Sequence, residues 1–183
     1  MTISSQAPAR VDLAGGTLDI WPLYLFHENS QTVNFAINCH ARCRLTPRSD
    51  KAIDLISHDL GRRETFASLD TLRNASRWKL PLLARLVMAY GSAGRDRPSG
   101  LSSKGQAGMP ALPGGLTLET DSDVPAGSGL GGSSALNIAI CGALAKFTGR
   151  IIPPLKLIEL ARNVEAQVLG VPTGEQDYYS AVF

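Results

Sequence analysis

The chain has 183 residues, of which 44% are hydrophobic and 19% charged, and its formal net charge at pH 7 is +2. These proportions are typical of one globular domain and do not indicate overall disorder. So small a charge gives no argument for a nucleic acid or membrane partner, and we expect neither. The N-terminus lacks the basic and apolar segments of a leader and no apolar run could span a bilayer, so we expect a cytoplasmic protein.

The first part of the chain is predicted to form β-strands. Four segments combine β-branched or apolar residues with partial alternation and are separated by turn-prone clusters: residues 7–14, 32–45, 51–57 and 63–66. The cysteines at positions 39, 43 and 141 cannot all pair, and they offer too few ligands for a metal site. We therefore expect reduced structural thiols.

A helix is predicted to follow these strands, because the apolar positions between residues 80 and 90 have helical spacing. Residues 91–115 are rich in Gly, Ser, Pro and Arg and lack periodicity, which indicates a flexible loop to which no catalytic role is assigned. Residues 116–119 are then predicted to form a short strand that leads the chain into its most informative stretch.

That stretch is a glycine-rich loop, residues 123–135, which continues directly into an apolar-periodic helix. Its glycines remove side chains that would keep a ligand from the backbone, and the helix start presents unpaired amides and the positive end of the helix dipole. This geometry suits a phosphate group. The residues predicted to form the cradle are Pro125, Gly127, Ser128, Gly129, Leu130, Gly131, Gly132, Ser133 and Ser134.

Other interpretations of this loop fit less well. Gly127, Gly129 and Gly132 match the dinucleotide pattern G-x-G-x-x-G, but that pattern needs a buried strand directly before it and an acid about 20 residues later. A P-loop requires Lys beside its last Ser or Thr, and this loop contains no Lys. A plain helix-capping turn stays open as an alternative, although few such turns are so rich in glycine and serine.

Two helices are predicted after the loop, the first ended by Gly149 and the second spanning residues 154–169. Glu165 lies in the apolar stripe of the second helix, where a buried carboxylate needs a partner. An internal salt bridge to Arg10 or Arg162 is the structural interpretation of that position.

The segment from Thr173 to Gln176 has the form of a capping box, which predicts a further helix that starts there. Asp177 would end its first turn and look back toward the glycine-rich loop. On structural grounds alone, Asp177 is an acid that favours the helix dipole. Arg10 is likewise a solvated or sheet-edge cation on an apolar strand, and Asp19 a turn-forming residue.

Three segments taken together, residues 8–19, 125–135 and 165–177, resemble the GHMP kinase superfamily. This superfamily includes galactokinases, homoserine kinases, mevalonate kinases and the fucose and heptose phosphate kinases. The first segment is similar to its first motif, and the loop is similar to the second motif, which wraps the triphosphate of ATP. The resemblance implies an α+β fold, a two-layer sandwich of a mostly antiparallel sheet and helices with a ribosomal-protein-like βαβ core.

The same resemblance implies roles for individual residues. Asp177 would be the base that takes the proton of the acceptor hydroxyl, and Arg10 would lower its pKa or bridge to the transferring phosphoryl group. The loop would bind ATP, and Ser134 and Glu165 would ligate Mg²⁺. The residues implied to contact the sugar are Gly16, Thr17 and Asp19.

The acceptor is expected to be a sugar or a sugar phosphate. Galactokinases carry Glu-His-Thr-Asp where this chain reads Gly-Thr-Leu-Asp at residues 16–19, so galactose is not the expected substrate. The Ala-Gly-Gly-Thr run, followed by Trp21, Pro22 and Tyr24, is more similar to the heptose phosphate and fucose kinases. The resemblance thus implies an ATP-dependent kinase that phosphorylates a hydroxyl group of such a substrate.

Full members of the superfamily continue into a second domain that helps close the active-site cleft. We therefore expect this chain to be a truncated form, inactive alone, which is weakly soluble or self-associates through the apolar face that the second domain would cover. The alternative is a non-catalytic member that binds nucleotide or sugar without turnover. Retention of Arg10, Glu165 and Asp177 argues against that alternative.

Overall fold

Five strands and five helices make up the part of the chain that the computed structural model describes, residues 1–91 and 112–183. The strands are β1 (Ile3–Ala14), β2 (Val33–Arg48), β3 (Ile53–Ser57), β4 (Arg62–Phe66) and β5 (Gly115–Ser122). The helices are α1 (Leu69–Arg73), α2 (Pro81–Gly91), α3 (Gly132–Phe147), α4 (Pro154–Leu169) and α5 (Gln176–Val182). A short 3₁₀ helix, Leu23–Leu25, lies between β1 and β2.

The strands form one sheet in the order β1-β2-β5-β3-β4. Every neighbouring pair is antiparallel except β3 and β5, which are parallel. Helix α3 packs across β1 and β2, and α2, α4 and α5 pack against α3. Side chains from both layers, such as Leu45, Leu118, Ile140 and Leu144, are fully buried between them. The predicted α+β fold with a mostly antiparallel sheet is confirmed.

The predicted strands are all present; β1, β2, β4 and β5 are longer than the hydrophobic pattern indicated, whereas β3 begins two residues later than predicted. β1 begins at Ile3 rather than at residue 7, because residues 3–6 pair with residues 42–45 of β2. β5 continues past residue 119 to Ser122 in the same way, along its antiparallel neighbour β2. Backbone pairing with a long partner therefore extends β1 and β5 beyond their apolar parts.

The two helices after the glycine-rich loop end where the sequence predicted. α3 ends at Phe147, shortly before Gly149, which has a φ of 66°. α4 ends at Leu169, and Gly170 follows with a φ of 72°. Glycine adopts this left-handed conformation without the steric cost of a Cβ. No helix of the described residues is long and apolar enough to cross a bilayer.

The capping box predicted at Thr173 is wrong. α5 begins at Gln176, and its N-cap residue, Glu175, makes no side-chain capping hydrogen bond. The cap comes from a distant residue, because Oδ2 of Asp19 accepts hydrogen bonds from the amides of Glu175 (2.6 Å) and Gln176 (2.8 Å). Asp177 is consequently the second residue of α5 rather than the end of an earlier turn.

The flexible loop predicted at residues 91–115 lies mostly outside the described residues. Its two ends are described, and Gly91 is the last residue of α2 whereas Gly115 is the first residue of β5. The assignment of a flexible loop to the residues between them remains a prediction.

The three cysteines are free thiols, as the sequence predicted. Cys43 and Cys141 lie in the core, and burial raises the pKa of the Cys141 thiol to about 12. A thiol that stays protonated behaves as a small apolar side chain, so Cys43 and Cys141 contribute packing rather than reactivity.

Candidate active site

The glycine-rich loop winds closely across the start of α3. Gly127, Gly129 and Gly131 have φ angles of 77°, 75° and 68°, which glycine adopts without steric strain. Gly131 is the N-cap of α3, and a Cβ on it would lie 3.1 Å from Cγ of Arg10. The absence of a side chain therefore lets β1 approach the N-terminus of α3, where the first amides have no intrahelical carbonyl partner.

A cavity of about 640 Å³ lies beside this loop. The loop contributes most of its predicted residues to the lining: Pro125, Gly127, Ser128, Gly129, Gly131, Gly132 and Ser133. Another part of the lining is apolar: Leu80, Leu82, Leu83, Leu136 and Val168. Arg10, Glu165 and Asp177 also line the cavity. Three charged side chains from β1, α4 and α5 thus meet at the loop, as the motif order predicted.

The sequence did not reveal the apolar part of this lining. Leu80 directly precedes α2 and residues 81–83 form its first turn, and their helical spacing is equally typical of an ordinary core helix. Only the packing of α2 near the loop shows that some of these leucines face a cavity.

Arg10 connects β1, the loop and α5. Its Nη1 donates to the carbonyl oxygen of Gly129 (2.7 Å) and its Nε to Oδ1 of Asp177 (2.7 Å). Its backbone amide also donates to the carbonyl oxygen of Leu130 (2.9 Å), which fixes the loop to β1. Only 9% of the residue is exposed, so Arg10 is not a solvated cation, although β1 is an edge strand of the sheet as the alternative had it.

Asp177 is partly buried against Arg10, with 24% of its side chain exposed. Burial raises its pKa above the ordinary value of 3.8, and the ion pair with Arg10 opposes that increase without cancelling it. Arg10 lowers the pKa of Asp177, as predicted from the resemblance, but burial raises that pKa by more. A carboxylate with a raised pKa accepts a proton more readily.

Glu165 is 6% exposed and is held by hydroxyl groups. Ser133 Oγ donates to its Oε1 (2.7 Å), Ser134 Oγ donates to its Oε2 (3.1 Å), and the Tyr178 hydroxyl donates to the same Oε2. The structure thus brings together the two residues predicted to bind a metal, Ser134 and Glu165. Ser134 is buried behind the cavity wall rather than lining it.

The salt bridge that the sequence suggested for Glu165 is not formed. Arg10 pairs with Asp177, and Arg162 pairs with Glu175. No Lys or Arg of residues 1–91 or 112–183 forms an ion pair with Glu165. A carboxylate buried at a cavity with hydroxyl donors alone is suited to meet a cation that enters from outside.

Tyr178 is a hydrogen-bond partner of Glu165 that the sequence did not indicate. It is fully buried, and burial together with the charge of Glu165 raises the pKa of its hydroxyl, which therefore stays a neutral donor. An aromatic residue in a short helix reads as ordinary core, so its hydrogen bond to Glu165 emerges only when α5 packs against α4.

The residues predicted to contact a sugar lie next to the start of α5. The Gln176 side-chain amide donates to the carbonyl oxygen of Gly16 (2.6 Å), and the Asp19 carboxylate holds the backbone at this point. Thr17 is exposed in the intervening turn. Residues 16–19 therefore contact α5 at Gln176, the residue directly before Asp177.

A second cavity, of about 650 Å³, lies between this segment, α4 and α5. Its lining combines aromatic and polar side chains: Asp19, Trp21, Tyr24, Arg162, Gln176 and Tyr179. Aromatic faces with a few polar groups suit a small ligand that presents both hydroxyl groups and apolar ring faces.

The donor set around Glu165 fits a magnesium ion that is carried in by phosphates. No cluster of three or more His, Cys, Asp and Glu able to hold a metal is found in the described ranges. Mg²⁺ commonly takes one or two carboxylates and completes its shell with phosphate oxygens and water. Glu165, which lines the cavity, matches that small protein contribution, whereas the Ser134 hydroxyl is hydrogen-bonded to Glu165 and does not line the cavity.

Curated relatives of this chain include kinases. The family model for GHMP kinases N terminal domain matches residues 99–183. The chain is 32% identical over 182 residues to the D-glycero-alpha-D-manno-heptose 7-phosphate kinase of Campylobacter jejuni, covering 100% of this chain and 48% of that protein. It is 43% identical over 183 residues to the galactokinase of Mycobacterium tuberculosis, covering 100% of this chain and 44% of that protein. The chain spans about half the length of these curated relatives.

Solved structures show the same fold. A D-glycero-D-manno-heptose 1-phosphate kinase from Bacteroides thetaiotaomicron superimposes with a TM-score of 0.79 at 24% identity, covering 100% of this chain and 54% of that chain. A Lactococcus lactis galactokinase complexed with galactose gives a TM-score of 0.73 at 20% identity, covering 100% of this chain and 42% of that chain. At these identities the likeness establishes the fold alone.

Proposed function

Because this chain belongs to the GHMP kinase superfamily, we propose that it forms the ATP-binding part of a sugar kinase. The reaction transfers the γ-phosphoryl group of ATP to a hydroxyl of a sugar or sugar phosphate, of the heptose phosphate or fucose type. The observation that carries this proposal is the convergence of Arg10, Glu165 and Asp177 on one cavity beside the glycine-rich loop. Such a kinase works where ATP is abundant, which is why we place it in the cytoplasm.

In this proposal the loop and α3 hold the phosphates of ATP. Gly127, Gly129 and Gly131 leave the backbone accessible, and the N-terminus of α3 offers unpaired amides and a favourable dipole to a polyanion. The apolar lining contributed by residues 80–83 would receive the base. Most of the rate gain in phosphoryl transfer comes from positioning and charge stabilisation, which this arrangement supplies.

Glu165, with Ser134 hydrogen-bonded to it, would hold Mg²⁺. When bound, the ion would neutralise charge that develops on the phosphoryl group. The protein's own contribution is to keep the Glu165 carboxylate in place, through its hydrogen bonds from Ser133 and Tyr178.

Asp177 would accept the proton of the acceptor hydroxyl. A new bond forms between that oxygen and the γ-phosphorus, the bond from phosphorus to the bridging oxygen of ADP breaks, and the proton moves to Asp177. Arg10 holds the Asp177 carboxylate through Nε and anchors the loop through Nη1, so one side chain sets the distance between base and phosphates.

The acceptor would lie beside Asp177, bordered by Gly16, Thr17 and Asp19, and would extend toward the second cavity. The relatives act on different sugars, as their names state: a heptose 7-phosphate, galactose, and L-fucose. The motif Gly-Thr-Leu-Asp at residues 16–19 favours a heptose phosphate or fucose over galactose.

Two measurements test this proposal. Saturating Mg·ATP should raise the melting temperature of the 183-residue chain, since ligand at 100 times its Kd stabilises the folded state by about 2.7 kcal/mol. The chain alone should bind without turnover, whereas the complete gene product should release ADP only when a sugar from a panel of free and phosphorylated hexoses and heptoses is present.

Asp177→Asn is the control, because it should keep the Mg·ATP shift and lose ADP release. ATP binding without turnover on any sugar would instead support a non-catalytic sensor. The absence of any magnesium-dependent shift would exclude both functions.

A further inference from the structure

Asp19 reaches across the fold to a helix that lies more than 150 residues away in the sequence. Its Oδ2 accepts from the amides of Glu175 (2.6 Å) and Gln176 (2.8 Å). Its Oδ1 is buried and has no hydrogen-bond partner in the described residues. The carboxylate is therefore committed to the backbone at the start of α5, where the N-cap residue makes no side-chain cap of its own.

Gly174 provides the space that this contact needs. A Cβ at Gly174 would lie 2.3 Å from Oδ2 and 2.6 Å from Oδ1 of Asp19, which is closer than atoms can approach. Gly174 is not in the left-handed region, so its backbone would tolerate alanine. Steric room for the carboxylate, and not conformational freedom, is the reason for glycine at this position.

Two further hydrogen bonds hold the same turn. The Gln176 side chain donates to the carbonyl oxygen of Gly16 (2.6 Å), and Asn34 Nδ2 donates to Gln176 Oε1 (3.2 Å). The residue that follows Gln176 is Asp177. Because α5 has only seven residues, its first turn depends on such external contacts, and isolated helices of this length are not stable.

We propose that Asp19 is a positioning residue for Asp177. It fixes the first turn of α5 through the amides of Glu175 and Gln176, and it thereby holds the Asp177 carboxylate where Arg10 and the glycine-rich loop require it. The kinetic consequence rests on the proposed kinase function, whereas the cap itself does not. Gly174 is the second half of the device, since any larger residue would displace the Asp19 carboxylate.

Amide hydrogen exchange on the 183-residue chain tests the cap without reference to activity. In Asp19→Ala and in Gly174→Ala, the amides of Glu175 and Gln176 should lose protection, while those of α3 keep it. Asp19→Asn should restore most of the protection, because asparagine is also a good cap acceptor. Asp70→Ala is the matched control, since Asp70 is an exposed acid in the first turn of α1, far from these contacts.

Steady-state kinetics of the complete gene product test the positioning. Asp19→Ala and Gly174→Ala should each lower kcat by about 10- to 100-fold with little change in the KM for ATP, because a small misplacement of a catalytic group has that effect. Added to Asp177→Asn, Asp19→Ala should cost nothing further, since a residue that acts through Asp177 has no effect once the base is gone.

Several results would overturn the proposal. Unchanged exchange of the Glu175 and Gln176 amides in both variants would show that Asp19 does not cap α5. A rise in the KM for the sugar with unchanged kcat would show that Asp19 only contacts the sugar. Full additivity with Asp177→Asn would show that Asp19 acts elsewhere. A wild-type protein without turnover would overturn the kinase function instead, and the exchange data would still decide the cap.

Discussion

Two opposing effects set the protonation state of Asp177: burial raises its pKa above 3.8, and the Arg10 guanidinium lowers that pKa. Activity should therefore fall as the pH decreases through the raised pKa, and the acid limb of kcat/KM should lie above pH 3.8. Arg10→Gln removes the group that lowers the pKa, so its acid limb should move to higher pH. The pH profiles of the wild-type complete gene product and of its Arg10→Gln variant give the two acid limbs. An acid limb that moves to lower pH in Arg10→Gln would contradict the assignment of Asp177 as the base.

Tyr178 should stabilise the fold through the Glu165 carboxylate. Tyr178→Phe removes one hydrogen bond to a buried charge, which should lower the free energy of unfolding by about 1.5–3 kcal/mol. Tyr179→Phe is the matched control on the same helix, because the Tyr179 side chain is partly exposed, and its effect should stay within about 0.5 kcal/mol. Urea denaturation of the two variants should separate them, and equal midpoints would argue against this role for Tyr178.

Single residues could be predicted where they broke a local pattern. Glu165 was visible as a carboxylate in an apolar helical stripe, and Arg10 as a lone cation on an apolar strand. Their partners were not visible in the same way. Tyr178 looks like any core aromatic, and the choice of Asp177 over Glu165 as the partner of Arg10 depends on how α5 meets β1.

At the scale of the elements, the role of the glycine-rich loop can be tested against a matched position. Helix α3 has a left-handed glycine near each end, and only the first of the two belongs to the loop. Gly131 and Gly149 have φ angles of 68° and 66°, so alanine at either position should cost about 1–2 kcal/mol of backbone strain. At Gly131 the new Cβ would lie 3.1 Å from Arg10 and 3.4 Å from Asp177, whereas a Cβ on Gly149 would have no atom within 4 Å beyond its chain neighbours.

Gly131→Ala should therefore weaken the thermal shift given by Mg·ATP, and Gly149→Ala should retain the full shift at a similar loss of stability. Differential scanning fluorimetry of the 183-residue variants, with and without Mg·ATP, makes the comparison. A full shift in Gly131→Ala would mean that the close approach of loop, Arg10 and Asp177 does not form the nucleotide site.

Most elements could be predicted because their signals are local. The ends of α3 and α4 follow from glycines that stop a helix, and the strands follow from short apolar runs. The start of α5 could not be predicted, since its cap is supplied by Asp19 across the fold rather than by Thr173. The first residues of β1 were missed for a related reason, as they owe their conformation to β2.

The molecule as a whole has an exposed apolar patch at the end of the β1–β2 hairpin. Leu13, Val33 and Phe35 are 64%, 50% and 48% exposed, and Val33 and Phe35 point to one face of β2. Phe35 also pairs with Val11 of β1. Clustered apolar side chains of this kind favour association between molecules.

The 183-residue chain should accordingly self-associate as its concentration rises, and Phe35→Ser should weaken this association. Ile151→Ser is the control, because Ile151 is fully exposed between α3 and α4, outside the hairpin. Sedimentation velocity over a range of concentrations gives the result. A wild-type chain that stays monomeric throughout, or equal behaviour of both variants, would disprove association through this patch.

The fold and the convergence of residues at the candidate site could be predicted together because three motifs occur in one order along the chain. The acceptor could not be identified in this way. The second cavity takes its lining from residues 18–32, from α4 and from the start of α5, so its shape follows from packing that no short motif records.

Phosphorus NMR of the complete gene product with Mg·ATP and a panel of sugars tests the kinase assignment at the level of the bond that is made. The wild type should convert the γ-phosphate resonance of ATP into a sugar phosphomonoester resonance for at least one acceptor, and Asp177→Asn should leave ATP intact while still binding it. A wild type that yields only inorganic phosphate, or an Asp177→Asn variant that forms the phosphomonoester at the wild-type rate, would contradict it.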